Sequence, residues 1–244
     1  MKLVFLGTRG YVEPANRRHR HHSALLVGYR GREVMIDCGQ SWRHALGAIR
    51  PRALLLTHAH PDHAAGLDRG APCPVWASRE TWERIADYPI ASSRRRLLAP
   101  RRPRRIQGIR FEAFPVIHSL RAPAVGYRIR AGRVTVFYAP DVIAVDDRAA
   151  ALGGCRVYIG DGASLTRSLV RRRPKTGELF GHTTVRAQLG WCAAEGVPRM
   201  LITHCGAEIV AGDERHLRAQ VRFLARERGV EARIAHDGLE LTLR

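Results

Sequence analysis

The chain has 244 residues, 45% of them hydrophobic and 26% charged, which suits one large α/β domain over residues 1–244 and excludes collagen-like, coiled-coil and disordered classes. Its 41 Lys and Arg against 22 Asp and Glu leave a net charge of +19, nearly all of it Arg, with Lys only at positions 2 and 175. No stretch has the length of a membrane span or the layout of a signal peptide, and five scattered Cys without a CxxC pair read as reduced thiols; a cytoplasmic protein with no membrane partner is expected.

In chain order, Leu3–Leu6 reads as a first strand, followed by a loop from Gly7 to Ser23 with an Arg/His-rich run at 16–22. Ala24–Tyr29 and Arg32–Ile36 read as a hairpin about Arg30-Gly31 that ends at Asp37-Cys38-Gly39. A short helix is expected over Trp42–Ile49, then a buried strand over Arg52–Thr57. Just beyond that strand stand His58, His60, Asp62 and His63, all side chains that bind first-row metals. In extended backbone, residues two apart face the same way, so His58 and His60 can hold one ion. Asp62 and His63 follow the turn at Pro61 and can face a second, with a short helix from about His63.

This THxHxDH stretch resembles the signature of the metallo-β-lactamase superfamily of binuclear metallohydrolases. The resemblance implies an αββα sandwich, two mixed sheets flanked by helices, with the ligands on loops at one sheet edge. It also implies that Asp37 supports the ligand loop through hydrogen bonds without binding metal.

Downstream, Pro74–Ala77 reads as a strand and Ser78–Ala86 as a helix capped by Ser78. Seven Arg between 94 and 105, interrupted by Pro100 and Pro103, exclude a regular helix and predict an exposed basic connector. The strand Arg110–Ile117 ends at His118. The pair Val125–Ile129 and Val134–Tyr138 ends just before Asp141. Another strand, Arg156–Ile159, ends in Gly160-Asp161-Gly162, and a second basic loop runs from 167 to 175. A helix over Val185–Glu195 follows His182, the strand Met200–Thr203 ends at His204, and Ala232–Leu243 reads as a hairpin about Asp237-Gly238. Strand after strand thus ends in a metal-binding side chain. In that pattern His118 completes the first site, Asp141 bridges both ions, and His204 completes the second with Asp62 and His63.

His182, its helix and the following Thr-His resemble ribonuclease Z-like endonucleases and the related cyclic phosphodiesterases. There this His contacts the scissile phosphate and aids the leaving group, as a helix N-terminus suits phosphate and an imidazole can donate a proton. The resemblance implies two Zn2+, with manganese or iron suited to the same donors, and an activated water oriented in part by Asp62. The span from His118 to Asp141 leaves no room for the long tRNA-gripping arm of many ribonuclease Z proteins. A metal-dependent phosphodiesterase acting on RNA or a phosphodiester metabolite is therefore the leading expectation. A lactonase, thioesterase or β-lactamase-type enzyme, or a nucleic-acid binder with a vestigial site, stays open. Such proteins often dimerise, though no stretch here announces an interface.

Overall fold

The computed structural model describes residues 1–244. The chain sorts its strands by burial. The opening strand β1 (Lys2–Gly7) carries buried side chains at alternate positions, as a strand with one outward face does, whereas every residue of Val134–Ala139 is buried, as in a strand covered on both faces. The first sheet takes β1, β2 (Ala24–Tyr29), β3 (Arg32–Ile36), β4 (Leu54–Leu55), β5 (Val75–Ala77) and β6 (Arg95–Leu97), with the last strand of the chain beside β1. The second sheet takes β7 (Arg104–Ile106), β8 (Ile109–Ile117), β9 (Ala124–Ala131), β10 (Val134–Ala139), β11 (Ala144–Val145) and β12 (Val157–Asp161). A two-stranded ribbon, β13 (Arg171–Arg172) and β14 (Leu179–Phe180), stands apart; β15 (Arg199–Thr203) and β16 (Glu231–Ile234) then extend the second sheet, and β17 (Leu239–Thr242) is the strand beside β1.

Three apolar clusters make the layers. One lies between the sheets and joins Leu3, Val27, Ile36 and Leu55 to Phe111, Tyr127, Val136 and Ile159. A second packs the first sheet under the short helices α1 (Leu46–Ile49), α2 (Pro61–Ala64) and α3 (Arg79–Arg84). The third packs the second sheet under α4 (Arg148–Leu152), α5 (Val185–Ala194), α6 (Ala207–Val210) and α7 (Glu214–Arg226). The result is the expected αββα sandwich of two mixed sheets. No helix is long and apolar enough to cross a membrane.

Five local expectations are corrected. The stretches read as a basic connector and a basic loop carry strands, since β6 and β7 each pair into a sheet and β13 pairs with β14. The helix at 42–49 breaks into a 3-10 turn, Gln40–Trp42, and the four-residue α1, with the Trp42 indole N–H donating to His22 O at 2.9 Å. Regular pairing of the ligand strand shrinks to Leu54–Leu55, because Thr57 turns its N–H to the Asp37 carboxylate at 2.8 Å. The helix placed at about His63 begins at Pro61, whose missing N–H and fixed φ suit a first helical position. The terminal hairpin does not form: β16 pairs parallel with β15 in one sheet, and β17 pairs antiparallel with β1 in the other. The Asp237-Gly238 turn instead carries the chain between sheets, and Asp237 accepts from Thr8 N, Thr8 Oγ1, Arg20 N and His21 N. Helix α7 has no counterpart among the expected elements, although Asp213 caps it and Leu217, Val221 and Leu224 share its buried face.

Strand direction positions the site. Strands β8 and β10 both run antiparallel to β9, and β12 and β15 run parallel to β10. All four therefore end at one edge, and β3 and β4, parallel in the first sheet, deliver Asp37 and His58 to the loops that close the cluster.

Candidate active site

The loop after β4 leaves the sheet at Thr57, so His58 and His60 are set by its turn into α2. His60 stands at the N-cap in extended backbone, and Pro61 starts the helix, which places Asp62 and His63 in its first turn. His204 follows β15 with φ of 49°, and Asp37 follows β3 with φ of 62°. Both are left-handed conformations that non-glycine residues adopt at a cost and that cluster at functional sites. Two glycines make room: a Cβ on Gly39 would lie 2.2 Å from Asp62 O, and one on Gly10 would lie 2.9 Å from the His204 ring.

The ligating atoms of His58, His60 and His118 converge within 4.8 Å of one another, and so do those of Asp62, His63, Asp141 and His204. Asp141 lies between the groups: Oδ2 is 3.4 Å from His58 Nε2 and 2.6 Å from His63 Nε2, while Oδ1 is 3.1 Å from His204 Nδ1. Close as they lie, His63 Nε2, His204 Nδ1 and both oxygens of Asp141 are buried and make no aligned hydrogen bond. Buried polar atoms are nearly always satisfied, so a convergent set of orphaned nitrogen and oxygen donors fits a cation. Their opposite faces are held. Asp37 accepts from Thr57 N and Thr57 Oγ1 and from His63 Nδ1 at 2.9 Å, and Thr57 Oγ1 lies 3.0 Å from His58 Nδ1. His118 Nδ1 donates to Gly181 O, and Asp62 Oδ2 accepts from His204 Nε2 at 2.9 Å.

The charge state suits metal uptake. Burial holds His58 well below the ordinary imidazole value, lowers His60 to about 4 and lowers His118, which leaves all three neutral, the form that ligates. Burial works against the charges of Asp62 and Asp141, but the neighbouring His63 and His204 outweigh it and hold both carboxyls well below their usual range. In return, burial notwithstanding, Asp141 and Asp62 raise His204 to about 10 and hold His63 well above the ordinary value. The protein alone thus balances these carboxylates with two imidazolium protons, which a divalent cation would displace.

One residue of the cluster was given no role from sequence. Asp161, at the end of β12, accepts from His182 Nδ1 at 2.7 Å and lies 3.7 Å from His204 Nδ1. Its signal was present, a carboxylate ending a strand as Asp141 nearly does, but no neighbouring residue pointed to a partner for it. His182 stands two residues before Thr184, whose side chain caps α5 by accepting from Ala187 N. Its ring stacks on that of His204 at 5.6 Å, and its Nδ1 lies 3.3 Å from Asp141 Oδ1. These groups open into a cleft of about 580 Å³ that Tyr11, Ser164, Arg167 and Glu208 also line. Of the Arg/His-rich run, His19 and His22 are buried outside the cluster.

A family model described as the beta-lactamase superfamily domain matches residues 32–205. The chain belongs to this superfamily. Four curated ribonuclease Z relatives are 37 to 44% identical over 70 to 73 residues, and those matches span only 22 to 24% of the relatives' own lengths. The ribonuclease Z of Mycolicibacterium paratuberculosis aligns over 90% of this chain and 91% of its own at 25% identity. Among solved structures, the metallo-β-lactamase fold protein YhfI from Bacillus subtilis superposes with a TM-score of 0.74 at 19% identity, covering 98% of each chain. Zinc-bound PqqB from Methylobacterium extorquens does so with a TM-score of 0.76 at 21% identity, covering 100% of each. The chain has the metallo-β-lactamase fold, with a His/Asp cluster suited to a metal.

Proposed function

We propose that this superfamily member is a binuclear phosphodiesterase whose 244 residues act as one catalytic domain on an anionic phosphodiester, RNA or a phosphodiester metabolite. In this reading His58, His60 and His118 would hold one ion and Asp62, His63 and His204 the other, with Asp141 between the two groups. Zinc matches the nitrogen and oxygen donors, and manganese and iron suit the same set; the neighbour PqqB is zinc-bound. When bound, the ions supply Lewis acidity and lower the pKa of water to about 7.

The observation that carries the phosphodiester reading is the His182–Asp161 pair at the cleft wall. A carboxylate only accepts, so His182 Nδ1 carries the hydrogen and Nε2, which makes no hydrogen bond within the chain, is the nitrogen left for substrate. Asp161 fixes the ring and stabilises it when charged, so His182 can pass a proton to a departing alkoxide. Asp62 holds His204 in place with one oxygen and can orient the attacking water. Arg167, at the cleft mouth, supplies a fork that matches phosphate oxygens.

The test is hydrolysis of bis(p-nitrophenyl) phosphate by zinc- and manganese-loaded protein, beside a lactone, a thioester and a cephalosporin. Diester turnover that chelator abolishes, and that falls at least about 100-fold in His182→Ala with bound metal unchanged, is the expected outcome. Turnover of a carbonyl substrate that is indifferent to His182 would overturn the reading.

A further inference from the structure

The arginines that the cleft does not use gather at the opposite end of the sandwich. Strands β3, β8 and β10 run toward the cleft, so the turns that precede them, at Arg30-Gly31, Gln107-Gly108 and Gly132, share the far edge. Arg110 lies eight residues before His118 in the sequence, most of them in β8, which places it roughly 25 Å from the ligand edge at about 3.3 Å per residue. Two adjoining cavities of about 610 and 510 Å³ open there, both lined by Arg30, Arg32 and Gln107. Arg105, Arg110 and Arg130 complete the larger and Arg52 the smaller, and no Asp or Glu lines either.

None of these six arginines has an ion-pair partner, whereas Arg43, Arg101, Arg148 and Arg199 elsewhere each do. Three of them stand in a row. Arg105 is directly opposite Arg110 across β7 and β8, and Arg110 is directly opposite Arg130 across β8 and β9. Side chains directly opposite share a face, and like charges so placed destabilise a sheet. Internal compensation is slight: Arg105 donates to Gly108 O at 3.2 Å, and the Arg30 guanidinium lies over the Tyr29 ring at 5.4 Å. No carboxylate of the chain neutralises the row, which leaves it open to an anion from outside.

We propose that this pole is a second binding site, distinct from the cleft, that takes the phosphodiester backbone of a nucleic-acid strand. Guanidinium forks match phosphate oxygens in pairs. Neighbouring strands lie about 4.8 Å apart, so the row alone spans about 10 Å, wider than one phosphate and suited to successive phosphates of a chain. The site needs no metal and no catalysis, and it stands whether or not the cleft cuts phosphodiesters.

The experiment is fluorescence anisotropy of labelled single-stranded RNA and DNA oligonucleotides with the full chain, titrated at several salt concentrations. The triple variant R105Q/R110Q/R130Q is compared with R215Q/R222Q/R226Q, which removes the same charge from α7. The first should lose about tenfold or more in affinity and flatten the logarithmic salt slope by about 2, since each phosphate contact on a single strand contributes about 0.7. The α7 variant should bind within about threefold of the parent, and both should hydrolyse bis(p-nitrophenyl) phosphate as the parent does. The single variant Arg110→Gln, at the centre of the row, should weaken binding in the same direction and melt no lower than the parent, which shows that the loss is not misfolding. Equal losses in the two triple variants would reduce the effect to net charge and overturn the site, as would unchanged binding in the first. Binding of inorganic polyphosphate but of neither oligonucleotide would overturn the assigned ligand.

Discussion

Asp161 and His182 act as one unit. The carboxylate is buried and engages Nδ1 at 2.7 Å, while the ring alone reaches the cleft. Asp161→Asn keeps the shape and removes the charge, so it should lower kcat on a phosphodiester about 10- to 100-fold, the usual cost of losing a group that orients an active imidazole, with bound metal unchanged. Because Asp161 works through His182, the double variant with His182→Ala should be no slower than His182→Ala alone. A further loss in the double variant would show that Asp161 has a separate task. The candidate ligands were legible because chemistry and position coincide in them: His118 and His204 follow directly on their strands, and His58 and His60 stand in the short loop beyond Leu55. Asp161 was not, because its meaning comes from a residue 21 positions away in sequence.

The loop from Gly7 to Ser23 and the Asp237 turn form a second unit, built by hydrogen bonds from one carboxylate. Asp237 takes four donors from Thr8, Arg20 and His21, and Arg9 and Gly10, held between them, run beside Cys205 and under the His204 ring. Hydrogen bonds to a charged group contribute about 1.5–3 kcal/mol each and are not additive, so Asp237→Ala should cost about 3 kcal/mol in urea unfolding. It should also lower kcat, since Gly10 loses its anchor. A variant that loses stability but keeps full kcat would show that the loop does not support His204. An Asp-Gly pair between two apolar runs is a fair hairpin signal, and nothing local reveals that the two runs belong to different sheets.

The molecule as a whole buries histidines outside the cleft, and that ties its stability to pH. Burial lowers His19 to about 4. Thr8 Oγ1 donates to Asp237 Oδ1, so the His19 ring donates from Nδ1 to Thr8 Oγ1 in the neutral form. A group whose folded value lies below its unfolded value of about 6.5 contributes fully above that pH, and the contribution fades as pH falls toward 4. The loss should approach about 2 kcal/mol between about pH 7 and pH 5. His19→Asn should flatten the stability profile across that window; parallel profiles for variant and parent would refute the assignment.

The linear pattern of residues was enough for most strands to within a residue or two and for the side chains that gather at one edge, and the family resemblance of its THxHxDH stretch implied the sandwich. Alternating burial, turn residues and ligand chemistry are local properties, and each leaves its mark within a few positions. Partnership is not local. Whether Ala232–Leu243 closes on itself or bridges two sheets, which carboxylate meets His182, and that Arg105, Arg110 and Arg130 share one face are settled by which strands lie side by side. Strand order emerges from the packing of the whole chain around its three apolar clusters, and no short window of sequence contains that sum.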